Sequence, residues 1–158
     1  MTLLYVTDAF AVYGGMERVL TDKMNHLAAH SGYDIVLLTV NQGCHAVPFP
    51  LHSQVKHMDL GVRLHQQYAY HGIRRFIKHL ELMRLLKHRM RAALQQVNPD
   101  VLIDVKLDFI GVLNQVRENI PLIVESHTLC QAERLEHAGW LRRLHVWSFL
   151  RQVRQADE

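Results

Sequence analysis

The chain has 158 residues, of which 49% are hydrophobic and 21% charged, with a formal net charge of +3 and a pI near 9.0. This composition fits one globular domain and excludes collagen-like and disordered classes, and so mild a basic excess does not by itself indicate nucleic acid. No run reaches the roughly 18 apolar residues of a membrane-spanning helix, and the amino terminus does not resemble a signal peptide. We therefore expect a cytoplasmic protein and leave open peripheral contact with the inner face of the membrane.

Short runs of Val, Ile and Leu without polar alternation predict parallel strands that are covered on both faces. They occupy residues 3–6, 35–40, 101–105 and 122–124, with residues 55–58 as a weaker candidate at the sheet edge. Helical periodicity predicts helices over residues 17–30, 109–118 and 140–154. This alternation predicts a single doubly wound, mostly parallel, Rossmann-like α/β domain over residues 1–158.

The turn after the first predicted strand contains Gly14 and Gly15 and opens a helix. Glycine allows unusual backbone angles and close approach of a ligand, and the amino terminus of a helix favours an anion. The turn has neither the GxGxxG pattern nor the GK[ST] of a P-loop, so an ordinary dinucleotide or ATP site is poorly supported. Spacing alone leaves a simple chain reversal equally open, and Glu17 could serve only the helix dipole.

The residues around this turn are similar to a known family. Residues 5–40, YVTDAFAVYGGMERVLTDKMNHLAAHSGYDIVLLTV, resemble the opening of the retaining, family 4 type (group 1) glycosyltransferases of the GT-B fold. Residues 98–101, NPDV, resemble the family's "kPDvi" entry to a strand, and residues 120–127 resemble its "iPvi...H" segment. The resemblance implies the acceptor-side, amino-terminal half of a GT-B enzyme, with the carboxy-terminal nucleotide-sugar-binding domain absent from this chain.

The resemblance also implies roles for individual residues. Gly14 and Gly15 would lie against the diphosphate of a nucleotide-sugar donor, and His127 would lie beside the transferred sugar as a catalytic residue. Transfer to a glycan or lipid-linked acceptor would retain the anomeric configuration and need neither a bound metal nor a cofactor other than the donor substrate. An ordinary surface or hydrogen-bonded histidine remains the alternative for His127.

The strongest charge bias lies in residues 73–94, where seven Lys and Arg accompany one acid, Glu81. Two apolar stripes, displaced by roughly 120°, predict a helix that breaks or bends near Glu81. The basic face is a candidate acceptor or anionic-membrane surface, formed by Arg74, Arg75, Lys78, Arg84 and Lys87. A core-packing helix with a solvated basic face is the alternative.

Other chemistry is weakly indicated. The histidines form no close ligand pair, so we expect no metal site, and Asp104 and Asp108 could either serve a site or cap a helix. Two other interpretations remain open. The chain could be a non-catalytic α/β module with an anion-binding or regulatory role, or it could be half of a sugar-nucleotide epimerase.

Overall fold

The computed structural model describes residues 1–105 and 108–125. The five strands are β1 (Thr2–Thr7), β2 (Asp34–Thr39), β3 (Val55–Asp59), β4 (Val101–Asp104) and β5 (Leu122–Val124). Three α-helices connect them, α1 (Gly15–His30), α2 (Gly72–Val97) and α3 (Ile110–Val116), and a 3-10 helix (Leu64–Ala69) precedes α2. The predicted strands and the helices predicted over residues 17–30 and 109–118 are confirmed to within about two residues. The helix predicted over residues 140–154 lies outside the described residues.

All five strands pair in parallel in the order β3-β2-β1-β4-β5. The predicted α/β, doubly wound class is confirmed, and β3 lies at the edge as expected. Parallel neighbours require long crossovers, which the helices supply. The chain moves outward from β1 to β3, then α2 returns it to the other side of β1, so the direction of strand addition reverses between β1 and β4.

Two apolar clusters cover the two faces of the sheet, which is why the strands are apolar on both sides. The α1 side is formed by buried residues of α1 and alternate strand positions, Leu3, Tyr5, Leu20, Met24, Ile35, Leu37 and Ile103. The opposite side packs α2 and α3 on the other alternate positions, Leu4, Val6, Leu38, Leu86, Met90, Leu102 and Leu113.

Helix α2 is continuous over Gly72–Val97, so the predicted break near Glu81 is wrong. The second apolar stripe packs on the sheet through Leu82, Leu86, Met90 and Ala93. The first stripe, by contrast, is exposed. The helix reaches the core only from Leu82 onward. The two stripes can therefore point in different directions without a break in the backbone.

Neither α2 nor any other helix in residues 1–105 and 108–125 combines the length and apolarity needed to cross a membrane.

The two stripes of α2 predict opposite responses to the same substitution. Leu86 is 0% exposed and Leu80 is 40% exposed. We expect Leu86→Ala to lower the free energy of unfolding by about 2–5 kcal/mol because it leaves a cavity in the core. Leu80→Ala, the matched control on the same helix, should change it by no more than about 0.5 kcal/mol. Urea unfolding of both variants tests this, and equal losses would contradict the placement of the stripes.

Candidate functional site

The carboxyl ends of β1 and β4 lie side by side where the strand order reverses. In open α/β sheets this reversal leaves a crevice in which ligands bind. The chain leaves β1 toward Gly14 and leaves β4 toward Asp108, so both predicted groups of polar and glycine residues emerge at this edge. The topology therefore makes this edge the candidate site.

The Gly14–Gly15 turn has ordinary backbone angles. Gly14 has φ −111° and ψ 163°, and neither glycine is among those with positive φ. The turn therefore does not use the unusual backbone angles that glycine allows. A Cβ on Gly14 would overlap Oε2 of Glu17, whereas a Cβ on Gly15 would meet no atom of another described part of the chain within 4 Å. The fold gives Gly14 a steric reason to be glycine and gives Gly15 none.

Glu17 lies in the first turn of α1 and is buried. Its carboxylate lies beside Gly14, where it complements the positive end of the helix dipole. Gly14 itself carries no side chain that could cap the helix. A second anion at this helix terminus would be repelled by Glu17 on the Gly14 side, so the space over Gly15 is the favourable approach.

An aromatic and basic group flanks the turn. Tyr13 is 79% exposed, and its ring meets the ring of Phe49 edge to face with centroids 5.4 Å apart. The Arg18 guanidinium lies 5.3 Å from the centroid of Phe49. The sequence analysis did not identify this group, because Phe49 comes from a loop more than thirty residues away along the chain.

Gln42 ties the loop after β1 to the loop after β2. Its side chain is 2% exposed and accepts a hydrogen bond from the Phe10 amide at 2.7 Å. It also donates to the carbonyl oxygens of Phe10 and His45, both at 2.9 Å. A buried amide with three partners fixes the start of the segment that leads to Gly14. Sequence reasoning missed Gln42 because its partners are backbone atoms of other loops.

Two acidic side chains organise the same edge. Asp59 accepts hydrogen bonds from the Gln42 amide at 3.1 Å, the Gly43 amide at 3.0 Å and the Thr39 hydroxyl at 3.1 Å. Asp8 accepts a hydrogen bond from the side chain of Asn41. Side-chain contacts therefore join the loops after the first three strands and hold these loops in fixed positions at the candidate site.

Asp104 ends β4 in full burial, with 0% of its surface exposed. Burial, reinforced by the negative charge of Asp108, raises the pKa of Asp104 to about 7, although the backbone N–H of Phe109 favours the charged form. Within the described residues neither carboxylate oxygen has a hydrogen-bond partner at standard geometry. The carboxyl group is therefore a proton-binding group near neutral pH at the carboxyl edge of the sheet.

A cavity of about 630 Å³ lies at the outer part of this edge, between helix α2 and the loops after β2 and β3. Its basic lining residues are Arg63, Lys78 and Arg89. Arg89 donates to the Leu60 and Gly61 carbonyl oxygens, so its guanidinium is held by the loop. We call this cavity the basic cleft.

The predicted basic surface is only partly brought to the cleft. Of its five residues Lys78 lines the cleft, where it also pairs with Glu81 at 3.2 Å. The other four lie elsewhere on α2, at Arg74, Arg75, Arg84 and Lys87.

The predicted catalytic residue His127 lies outside the described residues. Gly14 and Gly15 lie together at the start of α1, as predicted from the sequence. Within the described parts of the chain, no three His, Cys, Asp or Glu side chains group in a way that could hold a metal ion.

The model of Glycosyltransferase Family 4 matches residues 13–158, beginning directly before Gly14. The chain belongs to this family. The crystal structure of TcCGT1 in complex with UDP is similar in fold, with a TM-score of 0.50 and 13% sequence identity. The likeness covers 78% of this chain and 27% of that chain, so the described fold corresponds to about a quarter of the larger structure. No curated protein sequence matches this chain.

Family membership and the fold agree with each other at two points. The match over residues 13–158 includes the Gly14–Gly15 turn and four of the five strands. The likeness to TcCGT1 shows the GT-B type of Rossmann-like domain that the sequence resemblance implies. The carboxyl edge of the sheet is therefore the candidate site of a domain that belongs to this family.

The buried Asp104 predicts a pH-dependent stability. Both folded and unfolded chains carry the proton below about pH 4, so the full stability is present there. Between that pH and about 7 the unfolded chain loses the proton first, and stability falls as pH rises. Because Asp104→Asn cannot ionise, its stability relative to the parent should rise by roughly 3 kcal/mol between pH 5 and pH 8.

Urea unfolding at the two pH values measures this change. Asp22→Asn, on an exposed carboxylate, is the matched control and should show a difference from the parent that changes by less than about 0.5 kcal/mol. A pH-independent difference between Asp104→Asn and the parent would show that Asp104 does not titrate in this range.

Proposed function

We propose that this domain is the acceptor-side half of a GT-B glycosyltransferase. The enzyme would move a sugar from a nucleotide-sugar donor to a glycan or lipid-linked acceptor, with retention of the anomeric configuration. Membership in Glycosyltransferase Family 4 supports the class of reaction. The observation that supports the site is the open space over Gly15, since a Cβ there would meet no other residue of the described ranges 1–105 and 108–125 within 4 Å, apart from its chain neighbours and its own helix backbone.

The donor diphosphate is proposed to lie over Gly15 at the amino terminus of α1. Backbone amides and the helix dipole there favour negative charge, and a glycine lets phosphate oxygens approach the backbone. The UDP bound by TcCGT1 supports a nucleoside diphosphate as the class of ligand. Tyr13, exposed beside the turn, is placed to contact the sugar or base of such a donor.

The proposed reaction breaks the bond between the anomeric carbon and the diphosphate oxygen and forms a bond from that carbon to the acceptor oxygen. The acceptor hydroxyl proton passes to a donor phosphate oxygen, so the step needs no oxidant and no resident metal. The helix terminus stabilises the charge that grows on the leaving diphosphate. His127 is proposed to contact the transferred sugar, and the second wall of the cleft would come from another domain.

The basic cleft is the proposed location of the acceptor. It lies at the same carboxyl edge as the Gly14–Gly15 turn and presents Arg63 and Lys78 to solvent. Two cations suit an acceptor that carries a phosphate or carboxylate, as a lipid-linked sugar does. Asp59 also lines the cleft, and its hydrogen bonds to two loop amides reduce its repulsion of an anion.

Gly15→Ala tests the donor site. Because a Cβ has open space and Ala favours helices over Gly by up to about 1 kcal/mol, we expect the melting temperature to stay unchanged or to rise. A methyl group over the turn should weaken UDP binding by about tenfold, because it displaces phosphate from the backbone amides. Titration with UDP, followed by the amide NMR signals of residues 12–17, measures the dissociation constant.

The unsubstituted chain should bind UDP weakly, with a dissociation constant on the order of 1 mM, because the proposal assigns the second wall of the cleft to another domain. Val19→Ala, at an exposed position on the same helix, is the control and should bind like the parent. If Gly15→Ala bound UDP as tightly as the unsubstituted chain does, the diphosphate would not lie at this turn. Binding of UDP in the nanomolar range would favour a self-sufficient binding module over half of an enzyme.

A further inference from the structure

The first part of α2, residues 72–80, is mostly exposed, although the 3-10 helix contacts it through the pairs Tyr68–Arg75 and Gln67–His79. We call it the α2 overhang. Every residue in it is exposed except Lys78, which is partly buried. At 1.5 Å per residue it extends for about 14 Å before Leu82 reaches the core. The packed part of α2 supports this extension, so its apolar residues are exposed without being needed for the core.

The exposed apolar residues of the α2 overhang form a single stripe along the helix. With 100° per residue, the stripe spans about 100° of the helix surface. Its members and their exposed fractions are Ile73 at 76%, Phe76 at 61%, Ile77 at 51% and Leu80 at 40%. Two tyrosines of the preceding residues are also exposed, Tyr68 at 63% and Tyr70 at 43%. Scattered exposed apolar residues need no explanation, but a contiguous group of this size does.

The same face of α2 turns basic farther along the helix. Arg84 and Lys87 continue the line of Phe76 and Leu80 at helical spacing, and this line points away from the stripe that packs on the sheet. The outward face therefore has an apolar first part and a cationic second part. That is the distribution of a helix that buries apolar side chains at the boundary of a bilayer while its cations meet the headgroups.

The charge around the α2 overhang is mostly positive, with Glu81, which follows it, paired to Lys78. Residues 60–80 contain no Asp or Glu but four Lys and Arg, at Arg63, Arg74, Arg75 and Lys78, together with three histidines. Arg75 lies over the ring of Tyr68, with its guanidinium 4.7 Å from the centroid. Among residues 1–105 and 108–125, Arg74, Arg84 and Lys87 form no ion pair. An occupant of this face must therefore accept apolar side chains and carry negative charge.

We propose that the α2 overhang docks on an anionic lipid bilayer. Ile73, Phe76 and Ile77 enter the boundary between headgroups and acyl chains, to a depth of about 5–10 Å. Arg74, Arg84 and Lys87 contact lipid phosphates, each contributing about a fivefold gain in affinity. A bilayer fits both requirements at once, since it offers a dense negative surface above an apolar layer. The proposal does not depend on donor binding or on glycosyl transfer.

Co-sedimentation of the 158-residue chain with vesicles tests the proposal. We expect binding to phosphatidylcholine vesicles that contain phosphatidylglycerol and little binding to phosphatidylcholine alone, with the bound fraction falling as salt is raised. The triple variant Arg74→Ala, Arg84→Ala and Lys87→Ala should bind the anionic vesicles on the order of a hundredfold more weakly. The double variant Phe76→Ser and Ile77→Ser should lose about tenfold or more.

Matched controls lie outside the α2 overhang. Lys56→Ala removes an exposed cation on β3, and Val19→Ser removes an exposed apolar residue on α1. Both should bind like the parent, and circular dichroism should show all variants folded.

Three results would overturn the proposal. One is equal binding to vesicles with and without phosphatidylglycerol, and another is equal loss in the control variants. The third is a dimer in light scattering that the double variant Phe76→Ser and Ile77→Ser dissociates while vesicle binding is unchanged, because the stripe would then join two copies of the chain. UDP titration of the same variants should match the parent, so failure of membrane docking is distinguishable from failure of the proposed donor site.

Discussion

The central position of β1 is the constraint on which the rest of the structure depends. Because β1 pairs in parallel with β2 on one side and β4 on the other, the chain must cross the sheet in both directions and reverse its order there. Right-handed crossovers then place α1 on one face and α2 with α3 on the other. The same reversal leaves the carboxyl ends of β1 and β4 without a connection above them. The Gly14–Gly15 turn and the buried Asp104 therefore both lie at the edge where the strand order reverses.

Above this sheet, the candidate site is held by loops that are tied to one another. Gln42 hydrogen-bonds both backbone groups of Phe10, and Asp59 joins β3 to the loop after β2. These contacts place the turn without strained backbone angles, since Gly14 lies in the extended region. The two glycines differ accordingly: Gly14 makes room for Glu17 of its own helix, and a Cβ on Gly15 would face open space among the described residues. Pre-formed loops of this kind reduce the ordering cost of binding a ligand.

The sequence predicted the strands well because a parallel strand covered on both faces is an uninterrupted apolar run, a signal that needs no knowledge of partners. The prediction failed at Glu81 of α2, because periodicity shows the direction of each apolar stripe and not whether a surface lies beneath it. Gln42 and Asp59 could not be identified either, since their partners are mostly backbone atoms brought close only by the sheet. The raised pKa of Asp104 likewise results from burial in the folded chain, reinforced by Asp108, and no local sequence pattern records that burial. The role of His127 rests on family resemblance and stays a prediction.

Lys78 belongs to two surfaces, since it lies within the α2 overhang and also lines the basic cleft. The two surfaces are thus contiguous, and a domain resting on its overhang would hold the mouth of the cleft beside the support. An acceptor carried in the same bilayer would then be encountered by lateral diffusion in two dimensions. Its effective concentration at the cleft would be set by its surface density, and a low affinity for the soluble headgroup would suffice.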